Sequence, residues 1–317
     1  MNINELQTRL DAYLALREAL GFATRATRRL LQDFVAYLAQ HGDGHPIRAH
    51  LAVDWACRTS ATRSPSGQHS HLSTARGFLI HLKASLPETE IPDRSLMAAP
   101  RRPHPYLFSA TDISRVLDEA GRLSPRGSLR PLTHQTLFGL LACTGLRPSE
   151  AINLLVPDVQ LDEQPPRLLI RQSKFHKSRW IPLHPTAAEH LRRYAHQRRA
   201  MKYDGLSEVF FLSEQGRHLD YHTLHRTFRR PIRRLSITPQ PGRRPPTLHS
   251  FRHTFAVNRL RQWYEADADA RALLPNLSVY LGHLNPVSSY WFLTATPELL
   301  GAAAQRFAQY AGKGDIE

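Results

Sequence analysis

Between Pro87 and Pro105 the chain carries five prolines, at 87, 92, 100, 103 and 105, with Arg101 and Arg102 among them. Each proline fixes φ, removes a backbone donor and biases the residue before it away from the helical region, so no regular helix runs through this stretch. It reads as an extended linker over residues 89–106, between an N-terminal domain at 1–88 and a C-terminal domain at 107–317. A total of 317 residues suits two domains, each burying its own apolar interior.

The segment before the break is helical in pattern. Leu6, Leu10, Tyr13, Leu16 and Leu20 recur at steps of three and four, a stripe that needs a partner surface. Thr24 is a candidate cap for a second helix carrying Leu30, Leu31, Phe34, Val35 and Leu38, with Arg25, Arg28 and Arg29 near its start. A third helix is expected over Ile47 to Cys57, and a fourth with Leu72, Ala75, Leu79, Leu82 and Leu86 on one face and Arg76 and Lys83 elsewhere. Together these predict a small four-helix bundle.

After the break, helices are expected from Ser109 to Leu117, Thr133 to Cys143, Tyr221 to Arg230, Leu248 to Tyr264, Asn276 to Gly282 and Pro297 to Tyr310. Arg167 to Arg171 and Trp180 to Leu183 read as two strands with Lys174 to Lys177 at their turn, and Val209 to Leu212 as a further strand. Cys57 and Cys143 are too few and too far apart for a zinc module, and both are expected as reduced core thiols. There is no run of about 18 apolar residues and no basic-then-apolar leader, so the expectation is an unexported, cytoplasmic protein with no membrane contact. Lys plus Arg number 42 against 27 Asp plus Glu, leaving +15, and the balance points to a polyanion, nucleic acid before any other.

Four short segments concentrate anion-binding chemistry. In Gly145-Leu146-Arg147-Pro148-Ser149-Glu150, glycine suits a helix end and proline the first turn of the next helix, which places Arg147 at a junction. The segment fits either an anion grip or a helix-cap arginine paired with Glu150. His249 and Arg252 are three apart and share a helical face, beside His253. Lys174 begins the run Lys174-Phe175-His176-Lys177-Ser178-Arg179-Trp180-Ile181-Pro182-Leu183, and Leu281-Gly282-His283 stands near a helix end. There is no Gly-rich phosphate loop and no spaced Cys/His cluster.

In order and character these segments resemble the tyrosine recombinases of the phage-integrase family. The resemblance covers the chain from about Leu107 onward. It implies a mainly α, two-domain architecture: an N-terminal four-helix core-binding (SAM-like) domain, and an α-helical catalytic domain with a small antiparallel β-sheet. It also implies a site-specific recombinase that cuts and rejoins DNA through a 3′-phosphotyrosyl bond without a cofactor or metal. Arg147, Lys174, His249, Arg252 and His283 take the catalytic positions, Glu150 and His253 support them, and Lys177 replaces Lys174 if the hairpin slips. In the family the attacking tyrosine lies nine positions after this histidine, which here is Phe292. A phenyl ring has no attacking oxygen, so the resemblance implies a Tyr→Phe exchange that traps an uncleaved complex. A naturally inactive paralogue, or Tyr290 acting in a shifted register, is the other account.

DNA-backbone contacts are expected from Arg25, Arg28, Arg29, Arg76, Arg101, Arg102, Lys177, Arg243 and Arg244. The implied partners are duplex DNA with inverted half-sites, further copies forming a tetramer on two sites through the C-terminal helix, and accessory DNA-bending or transposition proteins. Two alternatives stay open: an inactive DNA-binding regulatory or architectural protein on this scaffold, and a type IB topoisomerase or telomere resolvase.

Overall fold

The computed structural model describes residues 3–42, 46–58, 64–97, 104–173, 177–201, 207–239, 243–282 and 301. The chain divides into two compact units, Met1–Arg102 and Pro103–Glu317. It is mainly helical, with one small antiparallel sheet among the described residues.

The first unit packs α1 (Ile3–Ala19), α2 (Arg25–His41), α3 (Ala49–Cys57) and α4 (Pro65–Lys83) around one core. Leu6, Leu10, Tyr13 and Leu14 form the buried face of α1, whereas Leu16 and Leu20 are 49% and 65% exposed. The apolar stripe therefore turns through Leu14, one residue after Tyr13, and the expected continuation to Leu20 lies outside the core. Thr24 occupies the cap position of α2 but its hydroxyl donates to Glu18 and makes no cap bond, a second departure from expectation. Phe34 and Trp55 pack with ring centroids 4.8 Å apart, and the Trp55 indole N–H donates to Asp33 (3.0 Å), which satisfies the one polar atom of a fully buried ring.

The segment after α4 is tied back onto this unit. Glu90 accepts from the Ala49 N–H at the start of α3 (2.9 Å) and from Arg48 (2.7 Å), its own N–H donates to the Ile47 carbonyl (2.9 Å), and the Arg76 Nε donates to the Pro92 carbonyl (2.9 Å). The Pro-rich stretch thus carries tertiary hydrogen bonds as far as Pro92, and Arg94–Leu96 forms a short 3-10 turn.

The second unit is built on α6 (Leu129–Thr144), whose Leu129, Thr133, His134, Leu137, Phe138, Leu140, Leu141 and Thr144 are all buried. Around it lie α5 (Ala110–Gly121), α7 (Pro148–Ile152), α8 (Pro185–Ala200), α9 (Tyr221–Arg234), α10 (Leu248–Glu265) and α11 (Ala270–Leu281). Phe138 and Phe251 stack at 6.1 Å, Phe108 and Phe251 at 4.9 Å, and Phe228 meets Phe138 edge-on at 5.6 Å, an aromatic centre that joins α6, α9 and α10. Cys143, expected in the core, is exposed, because Leu141 and Thr144 take the inward positions of that helical turn; Cys57 is half-buried.

The strands β1 (Val159–Gln160), β2 (Arg167–Ser173) and β3 (Lys177–Pro182) form an antiparallel sheet in the order β1-β2-β3. Leu168 faces Ile181, Leu169 faces Trp180 and Ile170 faces Arg179, with a register shift between Ile170 and Ser173. Val209 to Leu212 is not a strand: Val209 and Leu212 make only isolated bridges, to Leu155 and His218. A short apolar run is equally consistent with a buried loop, and this one is satisfied by side chains together with a short backbone bridge in which the Phe210 N–H donates to the Leu154 carbonyl (2.6 Å). Arg198, 7% exposed, donates to the carbonyls of Ser207 (2.7 Å), Val209 (2.9 Å) and Phe210 (3.0 Å), and the Tyr194 hydroxyl accepts from the Leu212 N–H (2.9 Å).

Candidate active site

Arg147 is placed by its neighbours in sequence. Gly145 ends α6 at φ 63°, donating its N–H to the Leu141 carbonyl (3.0 Å), and a Cβ there would lie 2.6 Å from Phe255 Cδ1. Both the left-handed backbone and the close ring require glycine. Pro148 then opens α7, with Arg147 as its half-buried capping residue. Glu150, one turn on, accepts the Arg147 backbone N–H (3.0 Å) and its Nη1 (2.6 Å), while Nη2 donates to the Gly282 carbonyl (2.9 Å). The helix-cap pairing with Glu150 is therefore real, and it leaves the guanidinium aimed toward the end of α11.

Arg252 projects from α10 into the same place and is 5% exposed. Its Nη1 donates to the Gly145 carbonyl (2.9 Å) and its Nη2 to the Leu281 carbonyl (2.6 Å), so one guanidinium joins the C-terminal ends of α6 and α11, where carbonyls lack helical partners. Burial, and then the charge of Arg147, push its pKa down to about 9, which still leaves it cationic at neutral pH. His249 lies one turn before Arg252 at the exposed start of α10. Partial burial, then Arg252 and then Arg147, lower its pKa and hold the ring neutral at pH 7, able to accept a proton. His253 is half-buried and pushed down to about 4 by burial, His249, Arg252 and Arg244 in that order.

Arg179, on β3, is a component that sequence reasoning left unassigned. Its Nη1 and Nη2 form a fork onto the two oxygens of Glu150 (3.1 and 2.9 Å) and its Nε donates to the Tyr280 carbonyl (2.7 Å), with the side chain 10% exposed. Its place in the hairpin run two residues after Lys177 was the available signal. Burial raises the Glu150 pKa, but the bonds and charges of Arg179 and Arg147 outweigh it and hold the carboxyl below its usual range. Gly282 completes the arrangement at φ 69°: a Cβ there would lie 2.8 Å from Arg179 Nη1 and 3.4 Å from Arg147 Nη1.

The structure thus brings together Arg147, Glu150, Arg179, His249, Arg252 and the chain immediately before His283. Lys174, His283, Tyr290 and Phe292, with Arg101 and Arg102, lie outside the described residues, as does the side chain of Lys177. Arg25, Arg29 and Arg244 are exposed; Arg28 pairs with Asp11 (3.1 Å) and Glu18 (3.3 Å), Arg76 holds Pro92, and half-buried Arg243 bridges by its backbone to His104. Among the described residues no group of His, Cys, Asp and Glu is arranged to hold a metal, and no helix is long and apolar enough to cross a membrane.

The second unit is thus a helical body with a small hairpin sheet, in which two arginines meet at helix ends. Residues 108–287 match the phage integrase family, and the chain belongs to that family, the tyrosine recombinases. It is 40% identical over 302 residues to the Sinorhizobium fredii protein y4rB, named as an integrase/recombinase, covering 94% of this chain and 95% of that one. It is 29% identical over 276 residues to the tyrosine recombinase XerC of Rhodospirillum centenum, covering 81% and 74%. Among solved structures it shares its fold with the XerH site-specific recombinase bound to palindromic difH substrate, at a TM-score of 0.68 and 17% identity, covering 88% of this chain and 78% of that one.

Proposed function

We propose that this chain binds duplex DNA at inverted half-sites as a site-specific recombinase of the integrase or transposase type, and that Phe292 stops it before the first cut. The observation that carries the reading is the convergence of Arg147 and Arg252 beside the residue that precedes His283. Two guanidiniums bonded to the successive Leu281 and Gly282 carbonyls suit the nonbridging oxygens of a phosphodiester, whose negative charge grows in the five-coordinate transition state.

With tyrosine at position 292, its oxygen attacks phosphorus, His249 takes the phenolic proton, and the 5′ oxygen departs with a proton from Lys174. A 3′-phosphotyrosyl bond and a free 5′-hydroxyl result. The 5′-hydroxyl of the second strand then attacks that bond and releases the tyrosine, so the phosphodiester energy is conserved. His283 hydrogen-bonds a phosphate oxygen, Glu150 orients Arg147, and His253 supports His249. The chain assembles as a tetramer on two sites, and the terminal stretch from Glu298 to Tyr310, which lies outside the described residues apart from 301, is the segment to dock on a neighbouring copy or on its own domain.

One observation favours a second reading: phenylalanine at 292 suits a protein that only binds, a regulatory or architectural DNA binder on the same scaffold. Incubation with a nicked duplex carrying the sequence this protein protects separates the two. The chain as written is expected to give no SDS-stable adduct and Phe292→Tyr to give one that survives Tyr290→Phe. No adduct from Phe292→Tyr supports the binder, and an adduct from the unaltered chain that Tyr290→Phe abolishes assigns the attack to Tyr290.

A further inference from the structure

We infer that Arg179 is a positioning residue for DNA cleavage, keeping the charge of Arg147 available to phosphate by sharing the carboxylate that would otherwise neutralise it. The inference rests on the reading of Arg147 as a phosphate ligand and adds to it a residue with no assigned role.

The geometry begins with Glu150. Its carboxylate is 6% exposed and accepts from three directions: the Arg147 backbone, the Arg147 guanidinium and both arms of Arg179. A buried carboxylate facing one arginine alone forms a neutral pair with it, and a neutral pair has little attraction for an anion. With Arg179 present, Arg147, Arg179, Arg252 and Glu150 sum to two positive charges where phosphate is to bind. Arg179 takes the fork, which is the stronger geometry, and Arg147 bonds Glu150 through Nη1 and its backbone only.

Arg179 also fixes the parts that meet at the site. It pairs with Ile170 on β2, beside the register shift between Ile170 and Ser173. Its Nε holds the Tyr280 carbonyl near the end of α11, and its guanidinium fills the space a side chain at 282 would need. One side chain therefore couples the arginine junction, the hairpin and the chain entering His283. Lysine reproduces neither the fork nor the third bond.

Cleavage is read in the Phe292→Tyr background as the single-turnover rate of adduct formation on the nicked duplex. Arg179→Gln is expected to slow it by about 10- to 100-fold, less than the roughly 10²- to 10³-fold cost of losing a direct oxyanion donor. Arg179→Lys does not restore the rate. Adding Glu150→Gln to Arg179→Gln recovers about 5-fold or more, because the unshared carboxylate is then gone. A merely structural role predicts the opposite, since the double variant loses more contacts.

A second readout needs no cleavage. In the chain as it stands, binding to a 30-base-pair duplex is followed against salt; Arg179→Gln makes the slope shallower by about 0.9, one phosphate contact, and Glu150→Gln on top restores it. An unchanged slope, or a double variant no steeper than the single, overturns the inference. Failure of Phe292→Tyr to form any adduct counts against the recombinase reading, and the salt slopes then decide the role of Arg179.

Discussion

Arg252 has two tasks that one side chain seldom combines, closing the ends of two helices and presenting positive charge. Arg252→Gln leaves at least one of the Gly145 and Leu281 carbonyls without its donor, so the second unit is expected to lose about 2–4 kcal/mol in urea denaturation. A loss below about 1 kcal/mol contradicts the structural half of this assignment. Titration adds a second expectation. His134 and His253 are each pushed from 6.5 to about 4, by burial first. Between those values the unfolded chain binds more protons than the folded one, so their contribution is whole above pH 6.5 and is lost as pH falls toward 4, on the order of 3 kcal/mol each. Melting temperature should fall steadily from pH 7 to 4.5, and a flat profile argues against it. Local signals, a capping glycine, a first-turn proline and a three-residue helical step, put Arg147 at a junction and His249 and Arg252 on one helical face, but they left an anion grip and a cap pairing with Glu150 both open, and the family resemblance made the choice. Arg179 was legible only as a member of the hairpin run; its role was not, because that lies in a bond to Glu150, 29 residues away, and no local pattern encodes that partner.

At the scale of elements, what was readable followed the apolar period. α2 and α10 carry apolar stripes and fall where expected, and α6 ends where expected but begins at Leu129, before the expected Thr133. α8 was missed because its inward face is Ala188, Leu191, Tyr194 and Arg198, too sparse and too polar to announce a helix. α11 begins six residues before the expected start at Asn276, since Pro275 reads as a boundary but sits inside the helix. Arg198 also bears on the misread strand at Val209 to Leu212: backbone pairing is confined to isolated bridges, one of them with Leu154 to Val156, and the Arg198 guanidinium takes the carbonyls of Ser207, Val209 and Phe210. Arg198→Met keeps the stem and removes those bonds, and is expected to cost about 2–4 kcal/mol with loss of hydrogen-exchange protection around residues 207–212. Retained protection there would show that backbone pairing, and not Arg198, holds the segment.

For the whole molecule, a charge of +15 makes phosphate neutralisation the main source of affinity. With about eight phosphates engaged, log K should fall against log salt with a slope near −7, roughly 0.9 per contact. A slope shallower than about −3 would mean that far fewer of the basic residues reach DNA. Arg28 and Arg76, bonded within the first unit, should contribute less to that slope than exposed Arg25 and Arg29.

Arg147 and Arg252 are proposed to grip one particular phosphate of the duplex. A neutral methylphosphonate moved one position at a time through the protected sequence tests it directly, with binding measured for the unaltered chain and for Arg147→Ala. One position on each strand should weaken the unaltered chain at least about tenfold while leaving Arg147→Ala almost unaffected, because the missing charge and the missing arginine belong to the same contact. If no position behaves so, or if the two proteins lose equally everywhere, the cluster does not hold a scissile phosphate.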